Sequence, residues 1–336
     1  MEEGSPAQKG FPPAPPRQAG GAWYGGPVVR VQEIAPDLIL IDALYNDTEG
    51  AIGVYLLLGE RPALIETGPA STVDTVLEGV RQAGLDPMDL RAAAVTHIHL
   101  DHSGAAGTLA ASNSDLEVYA HPIGAPHLVD PSRLIASARR LYGPVLDSLL
   151  GEPEPIPSHR VHVLRDGDQV SLGSRTLTAF STPGHAIHHH VYLDHATGDL
   201  FSGDAAGVAL AGTRYVSPPV PPPELDFAAW RQTLGRLRDL RPRRLLLTHF
   251  GAHDWVDQLF SDLEERLAVR ERLSQEAAAA RWDEATMTAR LSALTAEEIA
   301  AAAPADAQRY EVMTPLRNNV LGLLRYAERI AQRVER

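Results

Sequence analysis

The sequence predicts an α/β protein, a four-layer αββα sandwich with a C-terminal helical appendage. Three observations lead there. Short apolar runs separated by turn signals recur in two successive stretches of similar layout, with helical stripes between them. Beyond about Trp255 the strand-like runs stop, and Ala-, Leu-, Glu- and Arg-rich segments continue to Arg336. No apolar run approaches the roughly 20 residues of a membrane span. Two strand-rich halves that must each bury a face, with helices to cover the others, give the layered arrangement.

Taken in order, residues 1–27 are rich in Pro, Gly and Ala, lack apolar periodicity and read as a flexible tail. From Val28 the chain reads as the sandwich, through residue 255. Val28–Ile34, Leu38–Ile41, Ile52–Leu58 and Ala63–Ile65 are expected strands. Val73, Val76, Leu77 and Val80 form a helical stripe within Thr72–Ala83. Ala92–Val95 is a strand leading directly into His97, with a helix expected from Ser103, as its N-cap, to about Ala111. Glu117–Ala120 is a strand, and Pro122–Leu150 is helical with breaks at Pro131 and Pro144.

The second half gives strands at Val161–Leu164, Thr176–Phe180, His189–Leu193 and Leu200–Ser202. Phe227, Trp230, Leu234 and Leu237 mark one face of a helix ending near Leu240, and Leu245–Leu247 is the last strand. Residues 256–336 form the helical appendage, with helix starts expected at Thr295 and near Pro315.

Composition narrows the chemistry. The absence of cysteine removes disulfides, thiolate ligands and cysteine nucleophiles. Any metal must therefore be held by imidazole and carboxylate, which suits zinc, iron or manganese. The formal charge is −13 and Lys9 is the one lysine, so no basic run exists to neutralise phosphates. A small-molecule substrate is the expected partner; nucleic acid and membrane are not, and homo-oligomerisation stays open. The opening Met1-Glu2-Glu3-Gly4 is neither basic nor apolar, so a cytoplasmic location is expected.

The segment Thr96-His97-Ile98-His99-Leu100-Asp101-His102 sits where an apolar strand ends and a helix begins. In extended chain, positions 97, 99 and 101 share one side, and a turn at Asp101 lets His102 face inward too. Packing three imidazoles and a carboxylate together gains nothing for a core and costs desolvation unless they share a cation. Lone histidines such as His121, His127, His159, His162, His195 and His253 carry no such implication. Three further motifs each place one ligand-type residue past a strand: Thr182-Pro183-Gly184-His185, Ser202-Gly203-Asp204 and Thr248-His249-Phe250.

The pattern His97-x-His99-x-Asp101-His102, followed in order by His185, Asp204 and His249, resembles the metallo-β-lactamase superfamily over residues 28 to 251. Ile65-Glu66-Thr67-Gly68 also resembles a strand-end motif of that family, with Glu66 where Asp is usual. The resemblance implies two divalent metal ions, zinc foremost, with iron or manganese as alternatives. His97, His99 and His185 would hold one ion, and Asp101, His102 and His249 the other, with Asp204 bridging them. His188, His189 and His190 lie close to His185; the Thr-Pro-Gly-His match selects His185, His188 or His190 would line the pocket, and His189 would belong to a strand. Two such ions share a water whose pKa falls from 15.7 towards about 7, giving a hydroxide nucleophile that Asp101 would help orient.

The implied function is a dinuclear metal-dependent hydrolase of small esters, lactones or thioesters. Within the superfamily, the helical appendage resembles that of glyoxalase II, but Ala205-Ala206-Gly207-Val208 departs from the pattern there, and the loop around His185 looks most like uncharacterised hydrolases of this fold. Two other readings stand beside it: a mononuclear iron persulfide dioxygenase-like oxidoreductase, and a non-catalytic metal-binding scaffold. Tyr215 and the run Pro218 to Pro223 describe a rigid, mostly apolar wall, better suited to an acyl chain or lactone ring than to a tripeptide.

Overall fold

The structure is a computed structural model that describes residues 23–25 and 29–334. Its first sheet has eight strands adjacent in chain order: β1 (Trp23–Gly25), β2 (Arg30–Ala35), β3 (Leu38–Asp42), β4 (Gly53–Leu57), β5 (Ala63–Ile65), β6 (Ala92–Ala94), β7 (Glu117–Ala120) and β8 (Val161–Val163). Up to β5 the pairs are antiparallel, because short turns join them. From β5 to β8 they are parallel, because each connection carries helices. These are α1 (Val73–Gln82), then α2 (Leu100–Ser103) and α3 (Ala106–Ser112), then α4 (Ala125–Val129), α5 (Ser132–Tyr142) and α6 (Leu146–Leu149).

The second sheet orders β14-β13-β12-β11-β10-β9, from β9 (Gln169–Ser171), β10 (Thr176–Ser181), β11 (His190–Asp194), β12 (Asp199–Phe201), β13 (Arg244–Leu247) and β14 (Gly251–His253). Its one parallel pair, β12 with β13, is joined through α7 (Phe227–Asp239). Helices α8 (Val256–Ala280), α9 (Glu284–Ala302), α10 (Ala307–Met313) and α11 (Leu316–Val334) complete the chain.

The sheets face each other across one apolar core that joins Leu40, Val54 and Tyr55 of the first to Leu177, Tyr192 and Phe201 of the second. Tyr55 packs edge-on to Phe201 with centroids 5.3 Å apart, and its hydroxyl donates to the Leu247 carbonyl at 2.7 Å. Tyr192 reaches the other way, donating to the Val95 carbonyl at 2.7 Å. Each tyrosine thus fills the core with its ring while its buried hydroxyl finds an acceptor in the opposite sheet or the loop leaving it. Val76 and Val80 of α1 cover the first sheet, and Trp230 and Leu234 of α7 cover the second. β3 and β4 are buried at every position, which is why they read as continuous apolar runs rather than alternating ones.

Several expectations are corrected. Trp23–Gly25, placed in the tail, pairs antiparallel with β2; residues 1–22 and 26–27 of the tail, and Val28 of the first expected strand, lie outside the described residues. Strands β9 and β14, three residues each, were too short to show a period. Ser103 is the last residue of α2 rather than a cap, its hydroxyl donating to the His99 carbonyl at 3.3 Å. Thr295 lies inside α9, which starts eleven residues earlier because Asp283 caps it by accepting from the Thr286 amide at 2.8 Å. α11 does start after Pro315. Leu259, Phe260, Leu263 and Leu267 of α8 pack into the same cluster as Val191, Leu200 and Leu245 of the second sheet. α8 therefore packs on the outer face of the second sheet. No helix among the described residues is long and apolar enough to cross a membrane.

Candidate metal centre

All seven sequence-selected residues meet at one edge of the sandwich, where the loops leaving β6, β10, β12 and β13 converge. His97 Nε2 lies 2.9 Å from His99 Nδ1, which lies 3.0 Å from His185 Nε2. Asp204 turns Oδ2 to His185 Nε2 at 3.3 Å and Oδ1 to His102 Nε2 at 3.4 Å. Asp101 Oδ2 is 3.5 Å from His102 Nε2 and 3.3 Å from His249 Nε2. The donors fall into three overlapping sets: His97, His99 and His185; His97, His102 and Asp204; Asp101, His102 and His249.

The far side of each ring explains why these nitrogens face inward. A carbonyl or carboxylate can only accept, so a ring nitrogen beside it must carry the hydrogen. His185 Nδ1 donates to the Pro219 carbonyl at 2.9 Å and His249 Nδ1 to the Ala51 carbonyl at 2.7 Å. His102 Nδ1 donates to Glu66 Oε1 at 2.9 Å. Thr96 donates its hydroxyl proton to Glu66 Oε1 at 2.5 Å, leaving its oxygen to accept from His97 Nδ1 at 3.1 Å. In all four rings the outer nitrogen is engaged, so that Nε2 is the nitrogen turned into the site and the one through which the imidazole, once unprotonated, would bind metal.

Electrostatics divides the site in two. Burial holds His97 neutral, its pKa well below the usual range, reinforced by His102, His99 and His189. Burial and His185 push His99 down to about 3. His185 is lowered as well, by burial and by His102. On the other side, burial opposes the charge of His102, but Asp101, Asp204 and Glu66 outweigh it and raise the pKa well above the usual range. His249 is raised too, by its contact with Asp101 and by Asp204 against burial. Burial would raise Asp101 and Asp204, yet the neighbouring imidazoles hold both carboxyls below the ordinary range.

This donor set fits divalent metal. His102 Nε2 and Asp204 Oδ1 are buried with no hydrogen-bond partner among the described residues. Such orphaned polar atoms cost free energy unless a ligand satisfies them. Three neutral imidazole lone pairs aimed at one point, beside carboxylates, form an N/O set suited to zinc and its neighbours.

Local backbone needs are met by the motif glycines. Gly184 has φ +144°, and a Cβ there would lie 2.4 Å from Trp230 Cβ, so only glycine lets the loop carry His185 past α7. At Gly203 a Cβ would meet Thr96 Oγ1 at 2.5 Å, so Asp204 too needs its glycine.

Of the three histidines after His185, His188 falls where expected, and His189 and His190 exchange places. His188 lines the cavity, with Nε2 3.2 Å from Glu224 Oε2. His189, assigned to a strand, reaches the site from behind: its Nε2 accepts from the Asp204 amide at 3.2 Å and its Nδ1 meets Thr182 Oγ1 at 2.8 Å. His190 is the strand residue instead, buried against His121 with centroids 4.5 Å apart. Sequence reasoning also missed Thr96 and Thr248. Both precede a ligand histidine, and both hydroxyls meet Glu66 Oε1, at 2.5 and 3.1 Å. The repeated Thr-His pair was the available signal.

A cavity of about 810 Å³ opens onto His99, Asp101, His185 and Asp204, walled by α5, by α11 and by Pro219 and Pro221–Pro223. The proline wall is where the sequence placed it. Tyr215 is not part of it: fully buried, it packs on Tyr310 and its hydroxyl donates to Glu298 at 3.1 Å.

A layered α/β sandwich with imidazole and carboxylate donors gathered at one sheet edge is a metal-binding scaffold. Residues 47–249 match the profile of the Metallo-beta-lactamase superfamily, and the chain belongs to that superfamily. It is similar to the metallo-beta-lactamase fold-containing protein ST1585 of Sulfurisphaera tokodaii, 26% identical over 207 residues, covering 59% of this chain and 72% of that one. To the hydroxyacylglutathione hydrolase of Aeromonas hydrophila it is 30% identical over 198 residues, covering 55% of this chain and 63% of the hydrolase. The crystal structure of TTHA1429 from Thermus thermophilus, a metallo-beta-lactamase family protein, shares the fold with a TM-score of 0.63 at 21% identity. That likeness covers 89% of this chain and 95% of the other, so it extends beyond the 203 residues of the family match into the flanking structure.

Proposed function

We propose that the chain is a hydrolase of esters, lactones or thioesters that works with two divalent metal ions. One observation carries the reading: the two oxygens of Asp204 face different ring sets, Oδ2 towards His185 and Oδ1 towards His102. His97, His99 and His185 would hold one ion, Asp101, His102 and His249 the other, and Asp204 both. Ions held there supply an activated water and a Lewis acid for a substrate carbonyl. The chain's own residues do the rest. Asp101, whose side chain is 27% exposed, lines the cavity and can accept a hydrogen bond from the attacking water while orienting it. Glu66, with the Pro219 and Ala51 carbonyls, holds the imidazoles in one tautomer. The cavity walls shield the reacting centre from bulk water on the α5 and α11 sides. The similarity to hydroxyacylglutathione hydrolases supports the reaction class.

Elemental analysis of metal per chain, together with turnover of a panel of esters, lactones and thioesters, tests the proposal. Two ions per chain are expected, with Asp204→Ala weakening both and abolishing turnover, and His249→Ala emptying mainly one. Unchanged metal content in Asp204→Ala overturns the assignment. A single iron with oxygen consumption on a persulfide would replace it with the oxygenase reading, and loaded protein that turns over nothing with the scaffold reading.

A further inference from the structure

The cavity is far larger than the metal centre requires, and the way its walls are built says what fills it. Its 810 Å³ lies high in the roughly 300–1,000 Å³ range of small-molecule pockets. One wall is α5, an amphipathic helix with no fully buried residue. Leu134, Ala138 and Leu141 lie three or four positions apart and all line the cavity. The opposite wall is α11, which contributes Leu321 and Leu324. The helices are tied at one end, where Arg317 donates to the Leu141 carbonyl at 2.7 Å and the Asn318 amide to the Tyr142 hydroxyl at 3.2 Å. The cavity between them is lined by these apolar side chains, with Ser137, Asn319, Arg325 and Glu328 among them.

The rim of the cavity on the α5 side is positive. Arg133 and Arg140 sit seven residues apart, two turns along the same face, and both line the cavity. Neither has a carboxylate within ion-pair distance among the described residues, although Asp130 lies close enough to Arg133 to feel its charge, in a chain whose formal charge is −13. Arg139 between them is by contrast paired with Asp147 at 2.8 Å. The carboxylates of Glu284 and Glu328 lie on the other walls, the former 4.0 Å from Arg317.

We propose that the substrate is an anionic amphiphile: an acyl ester or thioester whose extended apolar arm lies between α5 and α11, and whose negatively charged group meets Arg133 and Arg140. The proposal rests on the hydrolase reading for the position of the scissile carbonyl, but its recognition arm can be tested by binding alone. Apolar burial strengthens binding with each methylene removed from water, and two partly exposed arginines add a modest charge preference.

The test uses three amides that the enzyme need not turn over: acetamide, decanamide and decanamide carrying an ω-carboxylate, titrated calorimetrically into the metal-loaded protein. Decanamide should bind at least about a hundredfold tighter than acetamide. The carboxylated amide should exceed decanamide by about fivefold, a preference that Arg133→Ala/Arg140→Ala should remove. Leu134→Ser and Leu324→Ser, at half-buried positions on the edges of the two core clusters, should weaken both long amides in variants whose circular dichroism and unfolding midpoint show the fold retained. Equal affinity of acetamide and decanamide overturns the place of the apolar arm, and a charge preference that survives in the double variant overturns the role of the arginines. Turnover of 4-nitrophenyl acetate, measured on the same preparation, keeps the two readings apart. If it is metal-dependent while the amides fail to bind as stated, this inference falls alone. If the amides bind as stated and no ester is hydrolysed, the hydrolase reading falls alone.

Discussion

Glu66 Oε1 lies 2.9 Å from His102 Nδ1, with both side chains almost completely buried. The same carboxylate accepts from the Thr96 amide at 3.0 Å and from the Thr96 and Thr248 hydroxyls. One side chain therefore ties together the ends of β5, β6 and β13 and fixes the imidazole that the second ion would need. Glu66→Gln keeps the shape but turns an N–H donor towards one of these four donors, leaving a buried clash. The loss should be about 1–3 kcal/mol of stability in urea unfolding and about 10- to 100-fold in metal affinity by chelator competition. Metal affinity equal to that of the unaltered protein would show that Glu66 only braces the fold.

The ligands were legible in the sequence because metal chemistry restricts residue type and strand ends restrict position. His97, His185, Asp204 and His249 each follow an apolar run, and a run's end is easily read. What lay behind them was less legible. The carbonyls of Pro219 and Ala51 that orient His185 and His249 belong to backbone, which carries no residue signature. His189 was misassigned because three consecutive histidines allow more than one strand register, and a shift of one residue exchanges the faces. The partner of α8 was not legible for a related reason: a helical stripe shows that a face is buried, not against which partner.

His185 and His188 should separate cleanly. His185 Nε2 faces His99 and Asp204, whereas His188 Nε2 is turned to Glu224 at 3.2 Å. His185→Ala should therefore lose bound metal in elemental analysis, and His188→Ala should retain it with altered KM. Metal loss in His188→Ala with retention in His185→Ala would reverse the reading of this loop.

α11 should matter for stability and for substrate preference, through different faces. Val320 and Leu323 are fully buried in the cluster that holds Leu259, Phe260 and Leu263 of α8. Leu323→Ala should cost about 2–5 kcal/mol in chemical unfolding. A chain ending near residue 256 would expose the second sheet's outer face and should be poorly soluble or altered in substrate preference. Unaltered stability together with an unchanged substrate profile in the shortened chain would refute this.

The substrate itself is the last prediction. The hydroxyacylglutathione hydrolases among the relatives share up to 30% identity, over stretches no longer than 63% of their own length. A glutathione moiety is a polar tripeptide, and holding it calls for polar and basic groups around the leaving thiol. Here the wall beside His185 is Pro219 and Pro221–Pro223, rigid and without side-chain donors, and the facing surfaces carry Leu134, Leu141 and Leu324. Lys9 lies outside the described residues and is the sole lysine, so charge recognition falls to arginine, whose planar fork is not interchangeable with a point charge. Against the proline wall a tripeptide's amides would find no side-chain donor, whereas an acyl chain or lactone ring loses nothing there. The metal-loaded protein should accordingly hydrolyse acyl esters or lactones, those with a long apolar arm ending in a carboxylate foremost, with a higher kcat/KM than S-lactoylglutathione, both measured on one preparation. A clear preference for the glutathione thioester would overturn this account of the cavity and leave the metal centre as described.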